Sequence, residues 1–420
     1  MVAGTPGPMA STVTMPLAGL RIVEISGFVA APLGGMTLAQ LGAEVIRVDP
    51  LGGASDRHRW PITRTGASLY WNGLNQGKKS VCLDLRSSTG QELVARLVAE
   101  SGPDGGIALT NAVGRAGLSY AQLRQTRPDL IFMKIQGHHD GTPAVDYTVN
   151  AAMGFPMVTG PQGHADPVNH VLPAWDIACG LYAATALLAA ERRRRLDGRG
   201  MEMSIALHDV AVAMAGNLGL LAEAQVNQVN RARIGNYLYG GFARDFTCQD
   251  GRRVMVVALT RRHWEDLLDV TEMRAPVRAL EEALAVDFSQ EDDRFAYREV
   301  LAGLFARWFE GQPHAEVAVR LRPTSLLWST YRTFTEVVSE ERGRNPILSV
   351  VDQPGVGPLL TPGSPIHLDT GVTPAVPAPL MGQDTAAVLS TLLGLDGDEL
   401  AQLQRAGVID PAPVSQPASF

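Results

Sequence analysis

The chain has 420 residues, 45% of them apolar and 19% charged, which is enough to bury more than one core and suggests two or three globular domains. The formal net charge of −7 excludes the broad basic surface of a general nucleic-acid binder, and no run approaches the ~18 uninterrupted apolar residues of a membrane span. Three scattered cysteines, Cys82, Cys179 and Cys248, offer neither a disulfide framework nor metal-ligand spacing; each lies in an apolar run and is expected as a small buried hydrophobe.

Residues 1–15, rich in Gly, Pro, Ser and Thr, are expected to be disordered. They lack the basic region and apolar core of a secretory signal, so the cytoplasm is the expected location. From residue 16 onward strands and helices alternate. "GLRIVEIS" predicts a buried strand, "PLGGMTLAQLG" a helix ending on Gly42, and "AEVIRVD" a second strand ending on Asp49. "SVCLDL", "GGIALTN" and "LIFMKIQG" predict three more strands, with helices "GQELVARLVAES" and "YAQLRQTRP" between them. The pattern implies an α/β fold with a doubly wound parallel sheet.

"DYTVNAAMGFPMVTG" follows as helix and turn, then a helix opened by Asp176, then the helical stretch "MSIALHDVAVAMAGNLGLLAEAQ". The first part of the large domain is thus read as residues 16–210, with a linking helix over 211–235. "YLYGGFARDFTCQDGRRVMVVAL" predicts strands joined by a turn at Asp250-Gly251, followed by helices such as "RRHWEDLLDV" and "EVLAGLFARWFEG". Residues 236–335 are therefore expected to form a smaller α+β domain. A Pro/Gly-rich linker and two final helices occupy 336–420.

Known catalytic patterns are missing. The first turn reads "SGFVAAPLGG", not G-x-G-x-x-G, so a nicotinamide-dependent dehydrogenase is disfavoured. There is no P-loop, G-x-S-x-G elbow or H-E-x-x-H. His138, His139 and Asp140 in "QGHHDGTP" read as a polar loop, and no metal is expected. "ERRRRLDGRG" reads as a solvated helix end whose cations suit the dipole. One carboxylate stands out: Asp176, at the mouth of an otherwise apolar helix in "PAWDIACGLY". It is either a first-turn acid that answers the free N–H groups and the dipole, or a nucleophile held ionised by them and partly stripped of water by Trp175, Ile177 and Ala178.

Several stretches taken in order, "LAGLRIVEISGFVAAPLGGMTLAQLGAEVIRVD", "GLNQGKKSVCLDLRSSTGQELVARLV", "TNAVGRAGLSYAQLRQTRPDLIFMKIQG", "AWDIACGLYAATALLAAERRRRLDGRG" and "PGSPIHL…APLMGQDTAAVLSTLLGL", resemble the class III (CaiB/BaiF-type) CoA-transferase family from Pro16 to about Ile409. The resemblance implies a Rossmann-like, CoA-binding large domain completed by the C-terminal segment, a smaller α+β domain, and an interlocked homodimer. It implies that Asp176 is the nucleophile, with Asp146 of "AVDYTVN" as a second carboxylate beside it; Asp146 reads equally as a cap of its own helix. It further places the turn Phe28, Val29 and Ala30 against the thioester, with Val29 where some members carry a glutamine. Arg47, Leu74, Lys78, Asn111 and Arg115 match positions that hold CoA, where cations suit phosphates, although each of the charged ones reads equally well as a solvated surface charge.

Val145 occupies the place of a histidine that the family's racemases use as a base, which turns the reading away from racemisation. In "GNYLYGGFARDF", Tyr237, Tyr239, Gly240 and Gly241 replace a glycine-rich lid, and together with Arg244 and His170 they are candidate substrate contacts; the tyrosines read equally as interface aromatics. Within the family, "FVAAPLGGMTLAQLGAEVIRVDPLGG", "VDYTVN" and "VNHVLPAWDI" resemble members that move CoA between the C1 and C4 carboxyls of mesaconate. The implied partners are an acyl-CoA thioester, as substrate, and a second copy of the chain, with no prosthetic group, membrane or nucleic acid. Transfer to a separate dicarboxylate, and CoA binding without catalysis, remain the alternatives.

Overall fold

The computed structural model describes residues 15–112, 118–369 and 371–410, so nearly all of the N-terminal stretch expected to be disordered lies outside the described residues. The chain divides into two units. One comprises Met1–Met153, Val171–Leu220 and Glu340–Phe420, the other Gly154–His170 and Leu221–Ser339.

Six parallel strands organise the first unit: β1 (Arg21–Ile25), β2 (Glu44–Pro50), β3 (Lys79–Leu83), β4 (Ile107–Thr110), β5 (Ile131–Gln136) and β6 (Met201–Ala206). Their spatial order is β3-β2-β1-β4-β5-β6, the doubly wound order in which the chain begins mid-sheet and builds outward in both directions. Sites in such sheets form outside the carboxyl ends of the strands, near the reversal between β1 and β4. Ile22, Val23, Ile46, Val81 and Leu109 are fully buried, as expected of strands covered on both faces.

The sixth strand corrects the sequence reading. "MSIA", expected as the start of a helical stretch, belongs instead to "MEMSIA", which pairs with β5 from Ile131↔Met201 to Gln136↔Ala206. Its residues alternate between half-buried and exposed, which is the period of a strand. The apolar helix immediately after it hides that short signal.

The helices that bear on the site are α1 (Ala30–Ala39), α2 (Leu69–Leu74), α3 (Ser88–Ala99), α4 (Tyr120–Thr126), α5 (Asp146–Ala152), α6 (Phe155–Val158, in the second unit), α7 (Ala174–Asp197) and α8 (Leu207–Asn217). One core joins Val23, Ile25, Val48 and Leu83 of the strands to Leu93, Val94 and Leu97 of α3 and to Val388, Leu389, Leu393, Val408 and Ile409 of the C-terminal segment. That segment completes the first unit.

Helix α7 buries Trp175, Cys179, Ala183, Leu187, Ala190 and Arg194, a stripe at three- and four-residue spacing. Within "ERRRR", Arg192, Arg193 and Arg195 are exposed, but Arg194 turns inward: it pairs with Glu191 and donates to the Gly105 carbonyl at 2.6 Å. The run is therefore not wholly a solvated helix end. One arginine ties α7 to the loop before β4.

Glycines let α1 and α7 approach closely. A Cβ on Gly180 would stand 2.5 Å from the Ala30 carbonyl oxygen, and one on Gly34 would stand 2.9 Å from the Gly180 carbonyl oxygen. Only glycine tolerates such contacts with backbone. The glycine four residues after Asp176 thus brings the second turn of α7 against the first turn of α1.

In the second unit, β7 (Phe242–Thr247), β8 (Arg253–Ala258) and β9 (Leu327–Thr330) form an antiparallel sheet, with the expected turn at Asp250-Gly251. Its core stacks Phe246 on Phe309 and sets Trp264 edge-on to Phe305. Residues 154–170, read as large-domain sequence, group with this unit, where the Arg233 guanidinium binds the carbonyls of Pro156, Met157, His164 and Asp166. All three cysteines are free and buried, and burial pushes the Cys82 and Cys179 thiols up to about 12, so neither offers a thiolate at neutral pH.

Candidate active site

A cavity of about 530 Å³ opens in the first unit beyond the carboxyl ends of the strands. Phe28, Val29, Ala30, Arg59, Tyr70, Asn111, Gln136, Val145, Asp146 and Asp176 are among the residues that line it.

The turn between β1 and α1 forms one wall. Phe28 adopts φ +64°, a left-handed conformation that costs a bulky residue ~1–3 kcal/mol unless its surroundings hold it. Here they do. Asp56 accepts the Phe28 N–H at 2.9 Å, while Asn111 accepts from Gly27 N–H at 3.0 Å and returns a bond to the Gly27 carbonyl at 2.7 Å.

Beneath the turn lies a buried charge network, and it accounts for two of the expected CoA contacts in a different way. Arg47 is 1% exposed; it binds Asp49 through two nitrogens at 2.8 and 3.0 Å, Asp56 at 3.1 Å, Asn75 at 3.0 Å and the Ser26 carbonyl at 3.3 Å. Lys78 is equally enclosed, held by Glu24 at 2.8 Å, the Pro32 carbonyl at 2.8 Å and Asn75 at 3.0 Å. Burial pulls its ammonium down to about 8 against the attraction of Glu24.

Both cations are buried among their protein partners. Together with Asp56 and Asn111 they hold the Ser26 carbonyl, the Gly27 backbone, the Phe28 N–H and the Pro32 carbonyl, so they shape the turn from below. The reason they are buried is that β2 and the segment before β3 bring opposite charges into one layer, where a charge must be paired. Leu74, the last residue of α2, is half-buried; Arg115 lies outside the described residues.

The facing wall comes from α5 and α7. Asp176 stands in the first turn of α7, where the residue before the helix is Pro173 and supplies no side-chain cap. The cap comes from another helix: Asp146, 2% exposed, accepts the Trp175 N–H at 2.7 Å and the Asp176 N–H at 3.2 Å. Its role as a cap is therefore for α7, not for its own helix.

This corrects the expectation that the helix end keeps Asp176 ionised. The positive end of α7 is already answered by the Asp146 carboxylate. Burial, and then the negative charge of Asp146, raise the Asp176 carboxyl to about 7, with Arg59 as the opposing influence. A carboxylate so deprived of water is more basic and a stronger nucleophile than one in solvent.

Two further groups were not anticipated from the sequence. Arg59 lies 5.5 Å over the Phe28 ring and 5.3 Å over the Tyr70 ring. Burial raises the Tyr70 phenol to about 12, leaving it a hydrogen-bond donor at neutral pH. The clue available was a cation and an aromatic flanking "RWPITRTGASLY", which only the return of α2 beneath the β1–α1 turn makes meaningful. Val145, 60% exposed, lines the cavity beside Asp146 and supplies no base there.

The remaining expected substrate contacts belong to the second unit. Tyr237 accepts from Arg244 and donates to Glu299 at 3.3 Å. The Tyr239 hydroxyl donates to Glu223, Gly240 adopts φ +80°, Gly241 is buried and His170 is half-buried. In the first unit, His138 sets its ring 4.6 Å from that of His208, and His139 stands 3.5 Å from Asp209.

Known proteins resemble this chain along most of its length. The model of CoA-transferase family III matches residues 17–385. A 2-methylfumaryl-CoA isomerase of Chloroflexus aurantiacus is 47% identical over 399 residues, covering 94% of this chain and 97% of that protein. A succinyl-CoA–D-citramalate CoA-transferase of the same organism is 28% identical over 411 residues, covering 94% and 98%. A crystal structure of a CaiB/BaiF family protein from Brucella suis aligns at a TM-score of 0.75 and 24% identity, covering 90% of this chain and 100% of that one, a likeness of fold. With the match extending over the sheet, the turn and the aspartate-bearing helix alike, the chain belongs to CoA-transferase family III.

Proposed function

We propose that the protein moves CoA between the C1 and C4 carboxyls of mesaconyl-CoA, with Asp176 as nucleophile. The supporting observation is a poised carboxylate near pKa 7, set in the wall of a cavity of about 530 Å³, in a chain 47% identical across nearly its whole length to a protein named for isomerising 2-methylfumaryl-CoA.

The chemistry follows from the groups present. A carboxylate oxygen of Asp176 attacks the thioester carbonyl, the C–S bond breaks, and CoA leaves as thiolate, giving a mixed anhydride. The thiolate attacks the aspartyl carbonyl of that anhydride and expels mesaconate as a dicarboxylate, leaving an aspartyl-CoA thioester. Mesaconate turns, attacks with its other carboxylate and repeats the exchange in reverse, which restores Asp176. Retention of the diacid in the cavity replaces a second substrate by effective molarity.

Each tetrahedral intermediate needs donors for its oxyanion. The first amides of α1 lack intrahelical acceptors, and Val29 and Ala30 stand in the cavity wall with Asp176. Tyr237, Tyr239, Gly240, Gly241, Arg244 and His170 are kept as candidate contacts from the second unit. The resemblance to the family supports a working form that is an interlocked homodimer in the cytoplasm, where CoA thioesters are held.

The test supplies one regioisomer of mesaconyl-CoA and no acceptor acid, and follows the isomers by chromatography. Appearance of the other regioisomer is the expected result. Conversion that requires an added dicarboxylate would instead establish transfer between separate molecules.

A further inference from the structure

Among the described residues that line the cavity, Arg59 is the sole cationic side chain, and it shares that cavity with the carboxyl groups of Asp146 and Asp176. We propose that Arg59 is the specificity-determining residue of this site, binding the carboxylate of the substrate that is not joined to CoA. This rests on the reading of Asp176 as nucleophile.

Three observations converge. First, an acyl group carrying a free carboxylate would share this space with two acidic side chains, whose ionised forms repel it, so a cation nearby favours its entry. Second, Arg59 makes no ion pair among the described residues, unlike Arg47, which is saturated by Asp49 and Asp56, while Arg57 donates to the Gly52 carbonyl at 2.6 Å. Third, its guanidinium is held over the faces of Phe28 and Tyr70 and hydrogen-bonds the Tyr70 side chain, which orients the planar fork whose remaining donors suit a carboxylate.

Arg59 also acts on the reacting group: its charge opposes the rise in the Asp176 pKa. A carboxylate within reach of both residues satisfies the arrangement, because the thioester end lies at Asp176 and the free end at Arg59. Once the diacid is released both ends are carboxylates, and exchange of one for the other on the same guanidinium turns the substrate around without its leaving.

The experiment compares mesaconyl-C1-CoA with 2-methylcrotonyl-CoA, in which a methyl replaces the free carboxylate, on the full-length wild type, Arg59→Gln and Arg59→Lys. Formation of the aspartyl-CoA adduct is followed by intact mass. Wild type should form the adduct from the dicarboxylate about hundredfold or more faster, as a second-order rate, than from the methyl analogue, as sites built around a polar group reject analogues that lack it. Arg59→Gln should lose that preference, with a wild-type-like cooperative thermal transition reporting that it is folded; Arg59→Lys should keep part of the preference. Equal rates on the two thioesters in wild type, or an undiminished preference in Arg59→Gln, overturns the assignment. Failure of wild type to form an adduct with either thioester would instead remove the nucleophile reading and this assignment with it.

Discussion

At the scale of single residues, function and stability pull against each other at Asp176. Its carboxyl ionises near 3.8 in an unfolded chain and near 7 in the folded one, so the folded state binds its proton more tightly. The sign follows from linkage: the folded state bears no penalty below about pH 4, the penalty grows as pH rises toward 7, and it is constant above. Asp176→Asn should therefore be more stable than wild type at pH 8, by at most about 4 kcal/mol for a shift of this size, and should lose that advantage at pH 4. Urea unfolding across this range checks it; a gain independent of pH would mean that Asp176 titrates as an ordinary surface acid. The same variant should lose at least ~10³ in turnover, because an amide cannot form the anhydride.

Arg47 and Lys78 show what a single position in a sequence conceals. A lysine in "GKKS" reads as a phosphate contact or as a surface charge, whereas Glu24 and Asn75 enclose it, and Glu24 is 54 residues away in the chain. The neighbouring Lys79 is the exposed one. Lys78 lies just before β3 and is drawn inward by partners from β1 and the end of α2, while Lys79 opens the strand at the surface.

Among the elements, the crossing of α1 and α7 places the chemistry. Gly180 is one turn beyond Asp176, and its missing side chain admits the Ala30 carbonyl. Gly180→Ala would press a methyl against backbone that cannot rotate away, so the helices must separate; overpacking of this kind costs ~1–3 kcal/mol. The expected outcome is a lower melting temperature together with a fall in kcat larger than Ala substitution causes at Gly303, where a Cβ meets open space. Thermal melts and steady-state rates on the two variants make the comparison. A Gly180→Ala variant with unaltered kcat would show that this helix contact does not set the position of Asp176.

The cap of α7 belongs to the same scale. Asp146 and Asp176 are separated by 30 residues, yet one answers the backbone amides of the other's helix. A capping residue supplied from a different helix leaves no local sequence signature, since capping patterns are recognised within four or five residues.

For the whole molecule, the C-terminal segment is part of the first core and not an appendage. Val388, Leu389, Leu393, Val408 and Ile409 are buried against α3 and the strands, and Thr385 and Asp384 bond to the backbone of β3 at Cys82 and Ser80. Burial of that many apolar side chains contributes on the order of 10 kcal/mol, comparable with the whole stability of a domain. A chain ending at residue 383 should therefore fail to fold, seen as loss of the cooperative thermal transition, and adding residues 384–410 as a separate peptide should restore it in part. A cooperative transition in the truncated chain would show that the sheet closes without these helices.

Five of the six strands, the apolar helix bearing Asp176 and the turn before α1 were legible in the sequence, because each depends on local periodicity or on residue types within one short window. The family too was legible, from the order of those stretches along nearly the whole chain. Tertiary structure alone decided that "MEMSIA" pairs as an edge strand, that residues 154–170 leave the first unit, that Arg47 and Lys78 face inward, and that Arg59 lies in the cavity with Asp176. The reason is common to all four: each depends on which charge or hydrogen-bond partner arrives from a distant part of the chain, and a sequence records the groups available without recording which of them meet.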